Sequence, residues 1–256
     1  MEALTTMAYR QLKRFTRARS RVFGMVINPL IWLVFFGLGW SKVFDNPMAK
    51  MIFGGVDYLT FLAPGIFAMT VFNMSFMGGM SVIWDKQFGF LKEVLVAPAS
   101  RRGSILGRII GDSLVTLAQG AIILVLTYPL AESLKLSGFL PVLGIGFLLS
   151  IAFQGFGVSL ALKMESMEGF QMVLGIIMLP LTFLSGAMYP IDAMPSWMRA
   201  LAYINPLTYA VDGARHFLVG ENVTKFALTT DVGVLALLAL FLVGVAMIEF
   251  EKATIG

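Results

Sequence analysis

Few residues in this chain could do chemistry. It has no cysteine, so thiolate nucleophiles, disulfides and thiolate metal sites are excluded. Its one histidine, His216, leaves little for zinc or for imidazole-based proton transfer. No G-x-x-x-x-G-K-[ST] run occurs, so no P-loop for ATP is present. The acids Asp57, Asp85, Asp112, Glu165, Glu168, Asp231 and Glu249 hug the boundaries of apolar stretches, which argues against a proton-coupled route through their centres. Asp112 lies deepest, and Arg108 offers it an i,i+4 partner. No catalytic residue and no metal-ligand set is expected. Two features remain. One is the run "WDKQFGFLKEVLVAPASRR" (84–102), which mixes acids, bases and large apolar side chains. The other is a set of polar side chains within apolar stretches: Asn28, Thr70, Asn73, Ser75, Gln154 and Ser159. Each of these reads first as an interhelical hydrogen bond.

The surrounding elements are those of a membrane protein. Of 256 residues 58% are hydrophobic and 13% charged, too few charges to cover a water-soluble surface of that size. A spanning helix needs about 20 mostly apolar residues. Six segments qualify, at 22–41, 58–83, 105–128, 138–162, 170–189 and 230–249. Pro29, Pro64 and Pro180 interrupt three of them, which helices in lipid tolerate when neighbours re-satisfy the freed carbonyls. The expectation is one all-α integral membrane domain over residues 22–256, preceded by an amphipathic interfacial helix at 1–21. With the N-terminus inside, inner segments hold thirteen Lys and Arg and outer segments six, which predicts a multi-pass cell-membrane protein with both termini cytoplasmic. The net charge of +4 is modest, and no nucleic-acid partner is expected.

In residues 1–21, Leu4, Met7, Ala8, Leu12 and Phe15 fall on one side of a helix and Arg10, Lys13, Arg14, Arg17 and Arg21 on the other. Those bases face anionic headgroups or simply set the topology; the two readings are compatible. On this topology, 84–102 is a cytoplasmic loop. Phe88, Leu91, Val94 and Leu95 recur at helical spacing among Asp85, Lys86, Lys92 and Glu93. Asp85 marks the expected helix start and Pro98 its end. Such an apolar edge lies on the membrane, packs on other cytoplasmic parts, or inserts into a partner's groove.

The run "DKQFGFLKEVLVAPASR" resembles the cytoplasmic loop of the ABC-2 type permeases, the membrane subunits of ATP-driven exporters. Asp85, Lys86, Gly89, Leu91, Leu95, Pro98, Ser100 and Arg101 fit that family's run without a gap. Gln87 replaces an acid, Phe90 a threonine and Lys92 a glutamate, which puts the salt bridges of the family's acids in doubt. "YLTFLAPGI" (58–66) is similar to the family's approach to the second span. "FLSGAMYPIDAMPSWMRALAYINPLTYAVDGAR" (183–215) is similar to its signature after the fifth, through Ser185, Gly186, Pro190, Pro195, Trp197, Asn205, Pro206, Tyr209 and Arg215. The resemblance covers essentially the whole chain.

Read physically, Tyr189 and Trp197 suit a membrane–water boundary. Pro195 begins a short helix with Met198, Leu201 and Ile204 on one face. Asn205-Pro206 breaks it, and a second helix from Leu207 stops at Gly220. These are short re-entrant outer helices between spans five and six, forming a gate over the pathway or merely anchoring two spans. The resemblance implies a permease that is not itself an enzyme and binds no cofactor. ATP and Mg then sit on a separate ATP-binding subunit, present in two copies beneath two permeases, expected to be a homodimer. It implies that 85–101 couples to the ATPase, through Asp85, Lys86, Phe88, Gly89, Leu91, Lys92, Glu93, Leu95, Pro98 and Arg101. It also gives Asn28, Thr70, Asn73 and Ser75 weight as pathway residues, and amphiphiles (drugs, lipids or lipid-linked glycans) as the exported class. The alternatives are an ATPase-independent carrier, a membrane enzyme or a scaffold.

Overall fold

The computed structural model describes residues 2–17, 27, 29–44, 46–96 and 100–252, with the backbone alone at Ala49, Met77 and Leu95. Asn28 and Pro98, singled out above, lie outside the described residues, as does the side chain of Leu95. Among the described residues every regular element is helical. In chain order these are α1 (Glu2–Arg17), α2 (Pro29–Ser41), α3 (Pro47–Ile52), α4 (Tyr58–Ser75), α5 (Met77–Gln87), α6 (Phe90–Val96), α7 (Arg101–Thr127), α8 (Phe139–Lys163), α9 (Met167–Phe183), α10 (Ser196–Ile204), α11 (Pro206–Leu218) and α12 (Leu228–Lys252).

Local sequence explains the starts. Asp57, Ser100 and Ser166 stand at N-caps and accept from the backbone N–H of Thr60, Gly103 and Gly169. Asn205 caps α11, with Pro206 at its first position, where no N–H is required.

Among the described residues, four stretches are long and apolar enough to cross a bilayer: Tyr58–Gln87, Arg101–Thr127, Leu136–Lys163 and Leu228–Lys252. Of the six expected, the fifth is a shorter apolar helix, α9, and the described part of the first is α2, the rest of that segment lying outside the described residues. A π-helical stretch, Leu33–Leu38, lies within α2. The fifth segment leaves its helix at Leu184 instead of continuing to 189, because Gly186 adopts a positive φ and turns the chain back. The second segment is divided at Phe76 into α4 and α5.

Helix α4 is the centre of the fold and is buried along nearly its whole length. It packs on α7, α8 and α11, and α12 packs on α8. The periphery is apolar: Val34, Phe35 and Leu38 of α2, Met172, Ile176 and Leu179 of α9, and Leu237, Leu240 and Phe241 of α12 are all exposed. An apolar surface this extensive belongs in lipid.

Helix α1 does not stand apart. It runs along α7, with Met7 and Gln11 buried, while Leu12, expected on its apolar side, is exposed. The contact is close because Gly107 has no side chain: a Cβ there would lie 2.2 Å from the carbonyl oxygen of Leu4. Gly107→Leu therefore displaces α1, with a cost of about 1–3 kcal/mol for overpacking. Faster trypsin cleavage within residues 10–17 of the purified protein checks this, with Gly144→Ala as a neutral control because nothing lies within 4 Å of its Cβ position.

Candidate functional site

The loop run is not one amphipathic helix starting at Asp85. Helix α5 carries the chain through Asp85 and Lys86 to Gln87, Gly89 at φ +79 turns it, and α6 begins only at Phe90. A left-handed residue just past a helix end is the position where glycine is least costly. The acid and base expected at the helix start are therefore anchored in the protein body.

Asp85 is buried between two guanidinium groups. Arg108 of α7 approaches its Oδ2 at 2.8 Å, and Arg10 of α1 its Oδ1 at 3.2 Å. Arg108 thus pairs with Asp85, not with Asp112 as the i,i+4 spacing suggested. Asp112 instead accepts from Gln11 Nε2 at 3.1 Å. The long-range partner wins because Asp85 and Arg108 are both buried and each would otherwise carry an uncompensated charge. Lys86 Nζ donates to the carbonyl oxygens of Leu162 and Met164 at 3.1 and 2.9 Å, where α8 leaves C=O groups without helical partners. Arg10, expected to face headgroups, points to this junction and lies over the Phe90 ring at 4.0 Å.

The apolar edge divides as well. Leu91 is 7% exposed and part of the core, whereas Phe88 and Val96 are 84% and 68% exposed. Lys92 and Glu93 are exposed beside them. Arg101 Nη1 donates to the Glu251 carbonyl at 3.0 Å, and Arg102 bonds the Glu251 carboxylate at 2.7 and 2.9 Å, fixing the end of α12 to this same face.

At the opposite end of the bundle, the two other resembling stretches meet. The guanidinium of Arg215 lies 3.8 Å from the Phe61 ring centroid and donates through Nη2 to the Gly186 carbonyl at 2.7 Å. Gly65 admits the same turn, since a Cβ there would lie 2.5 Å from the Ala187 carbonyl oxygen. Ser185 Oγ donates to Thr182 O and accepts from Ala187 N–H. Asn205 Nδ2 donates to Leu181 O at 2.7 Å, and Tyr209 Oη to Tyr203 O at 2.6 Å. Pro190 and Pro195 bracket a short turn, Ile191–Ala193, and Pro195 caps α10. Trp197, Leu201 and Ile204 form an exposed face of α10. Hydrogen bonding to Asp192 pushes the Lys225 ammonium up. Burial pushes the Asp212 carboxyl up, opposed by the Phe226 and Lys225 amides and by Arg215.

Of the pathway residues, Thr70 and Ser75 bond back to carbonyls of their own helix. Asn73 lines a small cavity of about 30 Å³ between α2 and α4 with Pro29, Trp32, Ile66, Met69 and Thr70. Gln154, read as interhelical, donates to Thr116 at 3.5 Å. The sequence reading missed Arg10 and Arg108 as partners of Asp85. Nothing in their spacing gives them away, because the pairing joins residues 75 and 23 positions from Asp85.

Residues 2–219 match the model of the family described as ABC-2 type transporter. Among curated relatives, ycf38 of Cyanophora paradoxa, a transport permease by name, is 33% identical over 85% of this chain and 73% of its own. The daunorubicin resistance ABC transporter permease protein DrrB1 of Streptomyces coeruleorubidus is 27% identical over 86% of this chain and 76% of its own. The inner membrane transport permease YadH of Escherichia coli K12 is 23% identical over 96% of this chain and 94% of its own.

Removing Asp85 takes away the carboxylate that buried Arg108 pairs with at 2.8 Å, so Asp85→Ala costs about 3–5 kcal/mol. Arg10→Ala keeps the inner pair and removes a partly exposed arm, costing about 1 kcal/mol or less. Thermal unfolding of the two purified variants, followed by size-exclusion fluorescence, is expected to separate them clearly.

Proposed function

We infer the function from one premise: the chain belongs to the ABC-2 type transporter family. It is a membrane transport protein with several apolar membrane helices. The family implies association with an ATP-binding subunit. In our reading this chain is the permease of an ATP-driven exporter, with six spans, both termini cytoplasmic, and two copies working on two ATPase subunits that hold the ATP and Mg.

The observation that carries this reading is the exposure of Phe88, in the turn after α5, and of Val96, at the end of α6, beside residues that are tied down. Water does not favour such a pair of apolar side chains, and a partner's groove does. A push on α6 is passed through Asp85 to Arg10 of α1 and Arg108 of α7, and through Lys86 to the end of α8. Three helices then move with the loop. The outer helices α10 and α11 act as a gate, and an amphiphile passes along the α2–α4 face. The drug-resistance name of one relative supports that substrate class.

Phe88→Asp and Val96→Asp should each weaken co-purification with the ATPase by at least about tenfold, the loss of an apolar anchor of roughly 1.4 kcal/mol or more. Membrane insertion should be unchanged. Leu91→Asp is a different case and should lower the yield of folded protein, because it places a charge in the core. Normal ATPase association in both surface variants, or export from inverted vesicles that ignores ATP, would overturn the reading and favour an ATPase-independent carrier.

The α2–α4 face makes a separate prediction. Asn73→Leu should change the rate of ATP-driven drug export in vesicles while leaving ATPase association at the wild-type level.

A further inference from the structure

Helices α11 and α12 meet around a buried acid that the transport reading does not use. Asp231, in the first turn of α12, is 0% exposed, and neither of its carboxylate oxygens has a hydrogen-bond partner. A carboxylate taken out of water without compensation costs several kcal/mol. Either the carboxyl keeps its proton or something compensates the charge, and its surroundings supply an unusual set of donors.

Asp212 and His216 stand four residues apart on α11, so both side chains project from one face toward α12. One ligand atom from each of Asp212, His216 and Asp231 can be chosen so that all three lie within 4.8 Å of one another. His216 Nε2 lies 3.8 Å from Asp231 Oδ2. The same Nε2 donates to the carbonyl oxygen of Phe226 at 2.8 Å, a hydrogen bond that a cation bound at Nε2 would replace. Two carboxylates, one imidazole nitrogen and one carbonyl oxygen therefore converge. Neighbouring ligands around a small cation held at about 2.0–2.2 Å stand about 3.0–3.6 Å apart, so binding would draw these side chains together by about an ångström.

The support around the donors fits as well. Asp212 accepts the backbone N–H groups of Lys225 and Phe226 at 2.8–3.0 Å, which orients its carboxylate and leaves it further lone pairs. Arg215, the nearest fixed cation on α11, is turned away to Gly186 and Phe61. Lys225 Nζ is taken by Asp192 at 2.6 Å. Neither base reaches Asp231. His216 and Phe226 also line an open recess with Lys135, Glu221 and Thr224, which reaches the imidazole edge of the cluster, while Asp212 and Asp231 lie behind it.

We propose that Asp212, His216 and Asp231, with the Phe226 carbonyl, form a binding site for one divalent first-row cation, of the zinc or manganese type, at the hairpin end of the bundle. The mixed donor set excludes neither ion: imidazole suits zinc, and carboxylate with carbonyl suits manganese. Binding requires His216 neutral and both acids ionised, and it joins α11 to α12 at the root of the outer hairpin. The proposal is independent of the transport mechanism and of the ATPase.

The test uses full-length protein purified in detergent through a tag without histidines, stripped with chelator and dialysed against Zn²⁺ or Mn²⁺ alone. The expected result is about one ion retained per chain by mass spectrometry, with a raised thermal midpoint. Asp231→Asn, which keeps the packing, and His216→Ala should each lower affinity at least about tenfold and abolish the midpoint shift. Glu221→Gln, an exposed acid on the same recess, should bind as wild type does. The proposal is overturned if neither ion is retained by wild type, or if both variants retain it equally. It is also overturned if Asp231→Asn raises the midpoint of stripped protein while wild type binds nothing, which would mean that Asp231 is simply kept protonated.

Discussion

A polar group in lipid has no water to fall back on, and each unsatisfied one costs several kcal/mol. That constraint orders the structure at both ends of the bundle. At the loop end it draws Arg10, Arg108 and Asp85 into one junction and sends Lys86 to the last carbonyls of α8. At the hairpin end it lays Arg215 across Phe61 and onto the Gly186 carbonyl. Each interaction ties helices far apart in sequence, so satisfying the polar groups and choosing the helix neighbours are the same event.

The glycines make this packing physically accessible. Gly107 lets α1 lie against α7, which places Arg10 within reach of Asp85. Gly65 lets the 185–187 turn sit on α4, which places the Gly186 carbonyl within reach of Arg215. Helix α4 is consequently enclosed, and the apolar faces of α2, α9 and α12 are left for lipid or for a partner. An element so thoroughly surrounded moves only with its neighbours.

The fold class was largely legible. Composition and six apolar stretches announced helices in a membrane; α4 starts where its apolar stretch begins, and the chain breaks at Asn205-Pro206 as read. Segment ends were less so. The fifth segment stays apolar past Leu184, and the positive φ of Gly186 that ends the helix path there has no counterpart in hydropathy. Of the candidate site, the spacing of Phe88 and Leu91 was read as one apolar edge, yet one residue is at the surface and the other in the core. Periodicity identifies a face but not what covers it. Asp231 was legible only as an acid at the boundary of an apolar stretch, and the Asp212–His216 spacing means little until two helices bring these residues together.

What the sequence determined by itself is the solvent this chain folds in, the helical class that solvent permits, the family it resembles, and the chemistry it cannot do without cysteine or a P-loop. Those follow from composition and local pattern, which need no knowledge of neighbours. Tertiary structure alone decided that Asp85 pairs with Arg108 and not Arg108 with Asp112, that Lys86 caps α8, and that Arg215 holds Gly186. The first of those choices compares a partner four residues away with one twenty-three residues away, and the other two join residues with no local rival. In a low-dielectric interior the better desolvated and better aligned partner wins, wherever it lies along the chain.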